Sequence, residues 1–285
     1  MTKKTLKAIV TNVIFLIFLF GGSSVSLDCG QAPLKILISN DDGIEAPGIA
    51  ALCEALSRIG TVTVAAPAQG YSGASHSMTF SDPIFVTESV RNGLKWFGIK
   101  ATPATCVRLA LGTLVETPDL VVTGINRGEN LGKDTFYSAT VGAAREAALK
   151  GIPAIAVSLA NGPKMDYSPA AAFIADLVQN IKNIPFETII FLNVNVPNLP
   201  KDQIKGVMVV PQDMRPALEA YEKRGSPSGQ IYFWNIYKDL DAGEKKTDVW
   251  ALRNGYISIT PFQTDQTNAA ALKQLESLKL PGWIR

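Results

Sequence analysis

One histidine, His76, and three cysteines, Cys29, Cys53 and Cys106, are all that 285 residues carry of those two types. A Ser-His-Asp triad would therefore hang on His76 alone. The cysteines give no disulfide framework: Cys53 and Cys106 lie in apolar helical patterns and read as small buried hydrophobes, which leaves Cys29 odd. There is no Cys-x5-Arg phosphatase loop, no G-x-S-x-G nucleophile elbow and no G-x-G-x-x-G dinucleotide fingerprint. Long charge runs, low-complexity tracts and fixed-period repeats are missing too. With 18% charged residues and a net charge of +2, the chain lacks the basic stripe expected of a protein that binds a nucleic-acid polymer.

What is present begins with the layout of a processing signal. Lys3, Lys4 and Lys7 precede an apolar run from Ala8 to Phe20, broken only by Thr11 and Asn12, and Ser24-Val25-Ser26 supplies small residues. This predicts a secretory signal peptide over 1–26 and an exported protein, periplasmic or secreted. The run falls short of the roughly 20 apolar residues of a spanning helix, so an uncleaved membrane anchor is the alternative. Asp28 stands where a lipoprotein signal wants a small residue, so Cys29 is not expected to be lipidated.

From Leu34 onward two periodicities alternate. "LKILIS" (34–39) is a continuous apolar run, as expected of a strand buried on both faces. "APGIAALCEALSRIG" (46–60) has helical spacing, with Pro47 in the first turn and Gly60 as its stop, and "TVTVAAP" (61–67) is the next strand. Strand, helix and strand within about 30 residues make a right-handed βαβ unit. Residues 78–100 read as a hairpin excursion around Asn92-Gly93. Helices over 102–114, 138–151 and 167–181 then alternate with strands over 118–126, 152–160 and 186–197. The expected fold is α/β, a Rossmann-like, doubly wound, mostly parallel sheet. Beyond Pro200, "IKGVMVVPQ" and "GQIYFWNIY" look like strands around a polar loop at 213–230, a β arm at about 205–250. Such an exposed strand pair needs covering, which suggests exchange between subunits. A short helix and a strand follow in 245–262, and "NAAALKQLESLKL" is an amphipathic closing helix within 263–285.

Ligands of such sheets gather outside the carboxyl ends of the strands. The candidate loops are therefore Asn40-Asp41-Asp42-Gly43, "PAQGYSGASHS" (67–77) and "TGINRGENLGKDTFYSAT" (123–140). Two like charges about 4 Å apart repel by roughly 4 kcal/mol at the effective dielectric of a protein surface. Adjacent side chains on a straight strand point to opposite faces, so Asp41 and Asp42 converge only where the backbone already turns, which Gly43 permits. Two carboxylates plus neutral oxygens from neighbouring loops suit a hard divalent cation, Mg²⁺, Mn²⁺ or Ca²⁺, rather than zinc. Such an ion would polarise a phosphoryl oxygen and supply an activated water. Glycines of the second and third loops, Gly73 among them, let backbone N–H groups approach an anion. Ser138 and Thr140 fall at a helix N-terminus, a natural phosphate site, and Asn40 fits a loop-orienting or phosphate-touching role.

Five stretches, "ILISNDDGIEAPGI", "VAAPAQGYSGASHSMTF", "VVTGINRGENLG", "YSATVGAA" and "NGYISITP", follow one another between Lys35 and about Pro261. In this order and spacing the chain resembles the SurE survival proteins, metal-dependent 5′/3′-nucleotidases. The resemblance implies a SurE-like domain over 34–262 and a β arm exchanged between subunits, giving a homodimer or homotetramer. It also implies one divalent cation per subunit, Mg²⁺ or Mn²⁺, on Asp41, Asp42, Ser72 and Asn126, with Asp41, Asp42 and Asn126 serving catalysis. Asn40, Gly73, Ser138 and Thr140 would then bind the phosphate of a nucleoside 5′- or 3′-monophosphate or another phosphomonoester. Most relatives are cytosolic, which gives a third location beside export and anchoring. Ala139 stands where the family usually has glycine, and Ala101 and Thr105 stand where glycine and an acidic residue are usual.

Two readings of other classes accompany this one. A serine-type hydrolase would use Ser72 or Ser75 with His76, and a non-catalytic exported protein would bind a nucleotide or phosphate on the same scaffold. His76 also invites a general-acid role. Arg127 and Lys133 are candidates to steer phosphate, and Tyr71, Phe136 and Tyr137 to stack on a base. Each residue type has a structural use as well: turn hydroxyl, loop amide, helix cap or solvated charge.

Overall fold

The computed structural model describes residues 32–182, 190–215, 218–238 and 243–278. The expected signal segment and Cys29 lie outside the described residues. The apolar "LKILIS" run forms β1 (Leu34–Ser39), and Ile36 to Ser39 are fully buried. A strand with apolar side chains on both faces belongs in the middle of a covered sheet. There β1 lies, parallel to both β2 (Gly60–Pro67) and β5 (Leu120–Arg127).

Between β1 and β2 runs α1 (Pro47–Leu56), with proline in its first turn. It is shorter than expected. Gly60 opens β2 instead of stopping the helix, and a Cβ there would stand 2.3 Å from the Leu34 carbonyl oxygen. The Asn92-Gly93 turn, with positive φ at both residues (50° and 78°), joins β3 (Val86–Arg91) to β4 (Leu94–Ile99) in an antiparallel hairpin. This hairpin is no excursion: β4 pairs in parallel with β2 and widens the main sheet. The chain then forms α2 (Pro103–Leu109), continued by one π turn over Ala110–Leu114, and crosses back to lay β5 beside β1. From there α3 (Ala139–Leu149), β6 (Ala154–Leu159), α4 (Ser168–Ile181) and β7 (Phe191–Val196) follow.

The resulting sheet has the order β3-β4-β2-β1-β5-β6-β7-β11-β8, where β8 is Val207–Val209 and β11 is Ile257–Pro261. Strands β4 to β7 run parallel, and the antiparallel pairs β3–β4 and β7–β11 lie to either side. The strand order reverses between β1 and β5, which opens a crevice at their carboxyl ends. One face is filled by Ile49, Leu52 and Leu56 of α1 with Ile174 and Val178 of α4. The opposite face holds Cys106 and Val107 of α2 with Val141, Ala144 and Ala147 of α3. Cys53 and Cys106 are free buried thiols, as their apolar setting predicts.

The arm differs in register from its expectation. "GVMVV" does not pair with "QIYFWNIY"; it supplies β8, on the sheet edge beside β11. The partner of β10 (Ile231–Lys238) is β9 (Leu218–Gly225), drawn from the segment expected to be loop. Tyr221, Glu222, Lys223 and Arg224 are all solvent-exposed, so no buried face imposes the period-two alternation that marks a strand in sequence. Short helices α5 (Asp248–Arg253) and α6 (Ala269–Ser277) begin on the caps Thr247 and Asn268.

Gly48, in the first turn of α1, is where helix meets β5: a Cβ would stand 2.1 Å from the Ile125 carbonyl oxygen. Gly48→Ala should lower stability by about 1–3 kcal/mol, as overpacking does, and chemical denaturation against the parent chain measures it.

Candidate active site

Three loops meet over the crevice between β1 and β5. The first turns at Gly43, whose φ of +99° favours glycine. Asn40 Nδ2 donates to the Gly43 carbonyl at 2.7 Å and holds that turn. Asp41 is 4% exposed and accepts a 2.5 Å hydrogen bond from Thr140 Oγ1 on the first turn of α3. Burial pushes the Asp41 carboxyl up to about 7; Thr140 opposes the shift and the charge of Asp42 adds to it. Asp42 is also raised by burial, against the Arg127 backbone amide, which donates to its Oδ2 at 3.0 Å, and the Arg127 charge.

The second loop is pinned to the first, because the Tyr71 amide donates to the Asp41 carbonyl at 2.7 Å. This places Ser72 one residue beyond that anchor, exposed, followed by Gly73 at φ +74° with open space around it. The loop rests on α3 so closely that a Cβ on Gly142 would meet the Ser75 carbonyl at 2.4 Å. Ser75 Oγ donates to the Phe136 carbonyl at 2.6 Å, tying the second loop to the third. At the third loop, Asn126 precedes Arg127, the last residue of β5, and its Nδ2 donates to the Gly128 carbonyl at 2.8 Å.

Several candidates already make contacts within the protein. Ser138 is the N-cap of α3, its Oγ accepting from the Val141 amide, and the Thr140 hydroxyl proton is committed to Asp41. His76 Nε2 lies 2.9 Å from Glu146 Oε2, not against Ser72 or Ser75. The serine-hydrolase alternative therefore lacks its Ser–His hydrogen bond, since Ser75 is spent on a carbonyl and His76 on a buried carboxylate. Arg127, Phe136 and Tyr137 are exposed; Tyr71 and Lys133 are half-buried.

Sequence reasoning missed three contributors. The loop after β6 brings Pro163, Met165 and Tyr167 to a cavity of about 450 Å³ that Asp42 and Arg127 also line. Its position at the carboxyl end of an inner strand was the available signal. Asp248 is fully buried and accepts from the amides of Gly132, Asp213 and Val249, each at 2.8 Å, so it staples the third loop to α5. Glu146, buried on α3, holds His76 and lies 3.5 Å from Arg108. Nothing local marked either acid.

The donor set fits a hard cation. Among the described residues no group of three or more His, Cys, Asp or Glu side chains gathers, so a zinc-type cage is not built. Asp41 is lifted by burial and by the neighbouring charge of Asp42, with no basic side chain to lower it again. Asn40 Oδ1, buried without a donor among the described residues, adds an unsatisfied acceptor to the same loop. Positive charge at this point would offset all three.

The family model described as Survival protein SurE matches residues 36–218. The chain is 44% identical over 256 residues to the 5′-nucleotidase SurE of Geobacter sulfurreducens, covering 87% of this chain and 94% of that protein. It is 40% identical over 262 residues to the 5′-nucleotidase SurE of Thermosynechococcus vestitus, covering 88% and 97%. Among solved structures, the SurE protein of Aquifex aeolicus matches with a TM-score of 0.75 and 38% identity, covering 85% of this chain and 99% of that one. These relatives correct the expectation of export. They are named plainly, without a secreted or anchored form, and nearly their whole length is matched by 87–88% of this chain. Among the described residues no helix is long and apolar enough to cross a membrane.

Asp248→Ala would leave three buried amides without an acceptor. The expected cost is on the order of 3 kcal/mol, read as a fall in the urea midpoint, together with faster hydrogen exchange at Gly132.

Proposed function

The chain belongs to the SurE family, and from that premise we propose that it is a 5′-nucleotidase, hydrolysing nucleoside monophosphates to nucleoside and phosphate. Activity on 3′-monophosphates and other phosphomonoesters is part of the same reading, because the site grips the phosphoryl end. The observation that carries it is the Asp41–Asp42 pair at the β1/β5 reversal, with Asp41 buried and held by Thr140.

Asp41, Asp42, Ser72 and Asn126 are the side chains that would hold a divalent cation, Mg²⁺ or Mn²⁺. Bound there, such an ion supplies Lewis-acid polarisation of the phosphoryl group and a more acidic water. The chain's own part is positioning. Thr140 fixes one oxygen of Asp41 and the Arg127 amide fixes one of Asp42, so neither carboxylate must reorganise during the reaction. The open space around Gly73 and the first turn of α3 would let backbone amides approach the phosphate. Ser138 serves this by capping the helix, and Asn40 by holding the turn. The cavity beside Asp42, lined by Met165 and Tyr167, gives the nucleoside a place to lie.

The proposed domain spans 34–262, with 263–285 as a closing segment. The β9–β10 hairpin leaves Tyr221, Ile231, Phe233 and Trp234 each more than half exposed. Apolar surface on an unpaired ribbon supports burial against a second copy, hence a homodimer or homotetramer formed through the arm.

Phosphate release from AMP tests the reading. Activity is expected with Mg²⁺ or Mn²⁺, is abolished by EDTA, and falls roughly 100-fold or more in Asp42→Asn. Activity undiminished by both EDTA and Asp42→Asn would overturn it. His76→Asn should keep activity within about tenfold, since its role is to bond Glu146; loss to background would revive the serine reading.

A further inference from the structure

A second cavity, of about 370 Å³, lies beside α3 and takes no part in the chemistry above. Arg145, Gln212, Gln263 and Gln266 line it together with Phe136 and Phe262, and no carboxylate does among the described residues. Other arginines that reach into the structure find an acid: Arg91 meets Glu45, Arg108 meets Glu146, and Arg215 meets Asp213. Arg145 is half-buried and makes no ion pair or hydrogen bond with any described residue. Burial alone acts on its guanidinium and makes it a weaker base than usual. A desolvated cation with an open cavity in front of it is a receptor for an anion.

The interior behind this cavity is polar. Phe191 and Phe262 face each other where the Phe262 amide donates to the Phe191 carbonyl at 2.7 Å. One row further, Asn193 stands opposite Thr260, and in the next Asn195 stands opposite Ser258. Side chains two apart on a strand share a face, so this polar row continues the face that the phenyl rings begin. Asn193 Oδ1, Thr260 Oγ1 and Ser258 Oγ are buried and without partners among the described residues. Buried polar atoms are normally satisfied, and these three lie on the sheet face that begins at Phe191 and Phe262, both of which line the cavity together with Thr135.

We propose that this cavity is a second binding site, for a small molecule that joins an oxyanion, phosphoryl or carboxylate, to a flat ring. The oxyanion lies on Arg145, the ring against Phe136 and Phe262, and the glutamine carboxamides complete its hydrogen bonds. Gln212 already donates to the Gly132 carbonyl and to Thr135 Oγ1, which leaves its own oxygen to accept from the ligand. The volume admits a mononucleotide or something smaller. The site is also placed to be felt by the first one. Thr140, which holds Asp41, lies five residues before Arg145 on the same helix, about 7.5 Å along its axis.

Calorimetric titration of the full chain in EDTA, with inorganic phosphate, AMP and adenosine in turn, tests this. The parent chain should bind phosphate and AMP with one more site than Arg145→Gln, Arg145→Lys should retain weaker binding, and AMP should bind at least tenfold more tightly than adenosine. Superimposable phosphate isotherms for the parent and Arg145→Gln would overturn the proposal. So would crystals soaked in selenate with anomalous density only beside Asp41 and Asp42. If Arg145→Gln changes the subunit number by light scattering while phosphate binding is unchanged, Arg145 belongs to a subunit contact and the proposal is likewise overturned. Turnover is not the readout, so a chain inactive on nucleotides would still show the site.

Discussion

Burial of the Asp41 carboxyl at the end of β1 is the constraint that organises the rest. At 4% exposure an ionised acid loses most of its hydration, and the group is correspondingly raised to about 7. The protein opposes that loss with the Thr140 hydroxyl, which reaches Asp41 only if α3 begins at one fixed point over β5. Thr123 Oγ1 on β5 donates to the Thr140 carbonyl at 2.8 Å and sets that point. The same strand end supplies the Arg127 amide to Asp42. One acid pair therefore depends on the register of two strands and the start of one helix.

The loops around it are held from outside by a second set of buried polar groups. Asp248 takes three backbone amides and so joins the third loop to α5. Asn130, in that loop, accepts at its carbonyl from Asn193 and Asn195 and donates through Nδ2 to Ser158. Each bond is worth about 1 kcal/mol net, yet leaving any of these groups unpaired costs more than making the bond gains. The network therefore rigidifies the loop more than it stabilises the fold. Rigidity is what a phosphomonoesterase needs here, since catalysis of this kind is mainly positioning and fixed electrostatics.

Membership of the SurE family gives these contacts their reading, but the contacts are this chain's own. Ser138 and Thr140, both expected near phosphate, are occupied in capping α3 and in holding Asp41. The apolar opening segment suggested export from local composition alone, and composition cannot weigh a segment against the relatives that match the rest of the chain. Arg145 stands apart again: a cation with no acid beside it among the described residues, on the helix that carries Thr140.

By itself the sequence determined what depends on near neighbours. Alternating buried strands and amphipathic helices dictated a covered, mostly parallel sheet, and the acid pair behind the first buried strand marked the crevice, because both follow from local periodicity and turn chemistry. The two-residue turn at Asn92-Gly93 and the Ser138 cap belong to the same class. Only the tertiary structure decided that β4 joins the main sheet and that 218–225 pairs with β10. It also settled that Thr140 bonds Asp41 and that Asp248 gathers three amides from afar. Those pairings join residues tens of positions apart, and a strand solvated on both faces leaves no periodic trace, so their energetics exist only once the chain has closed on itself.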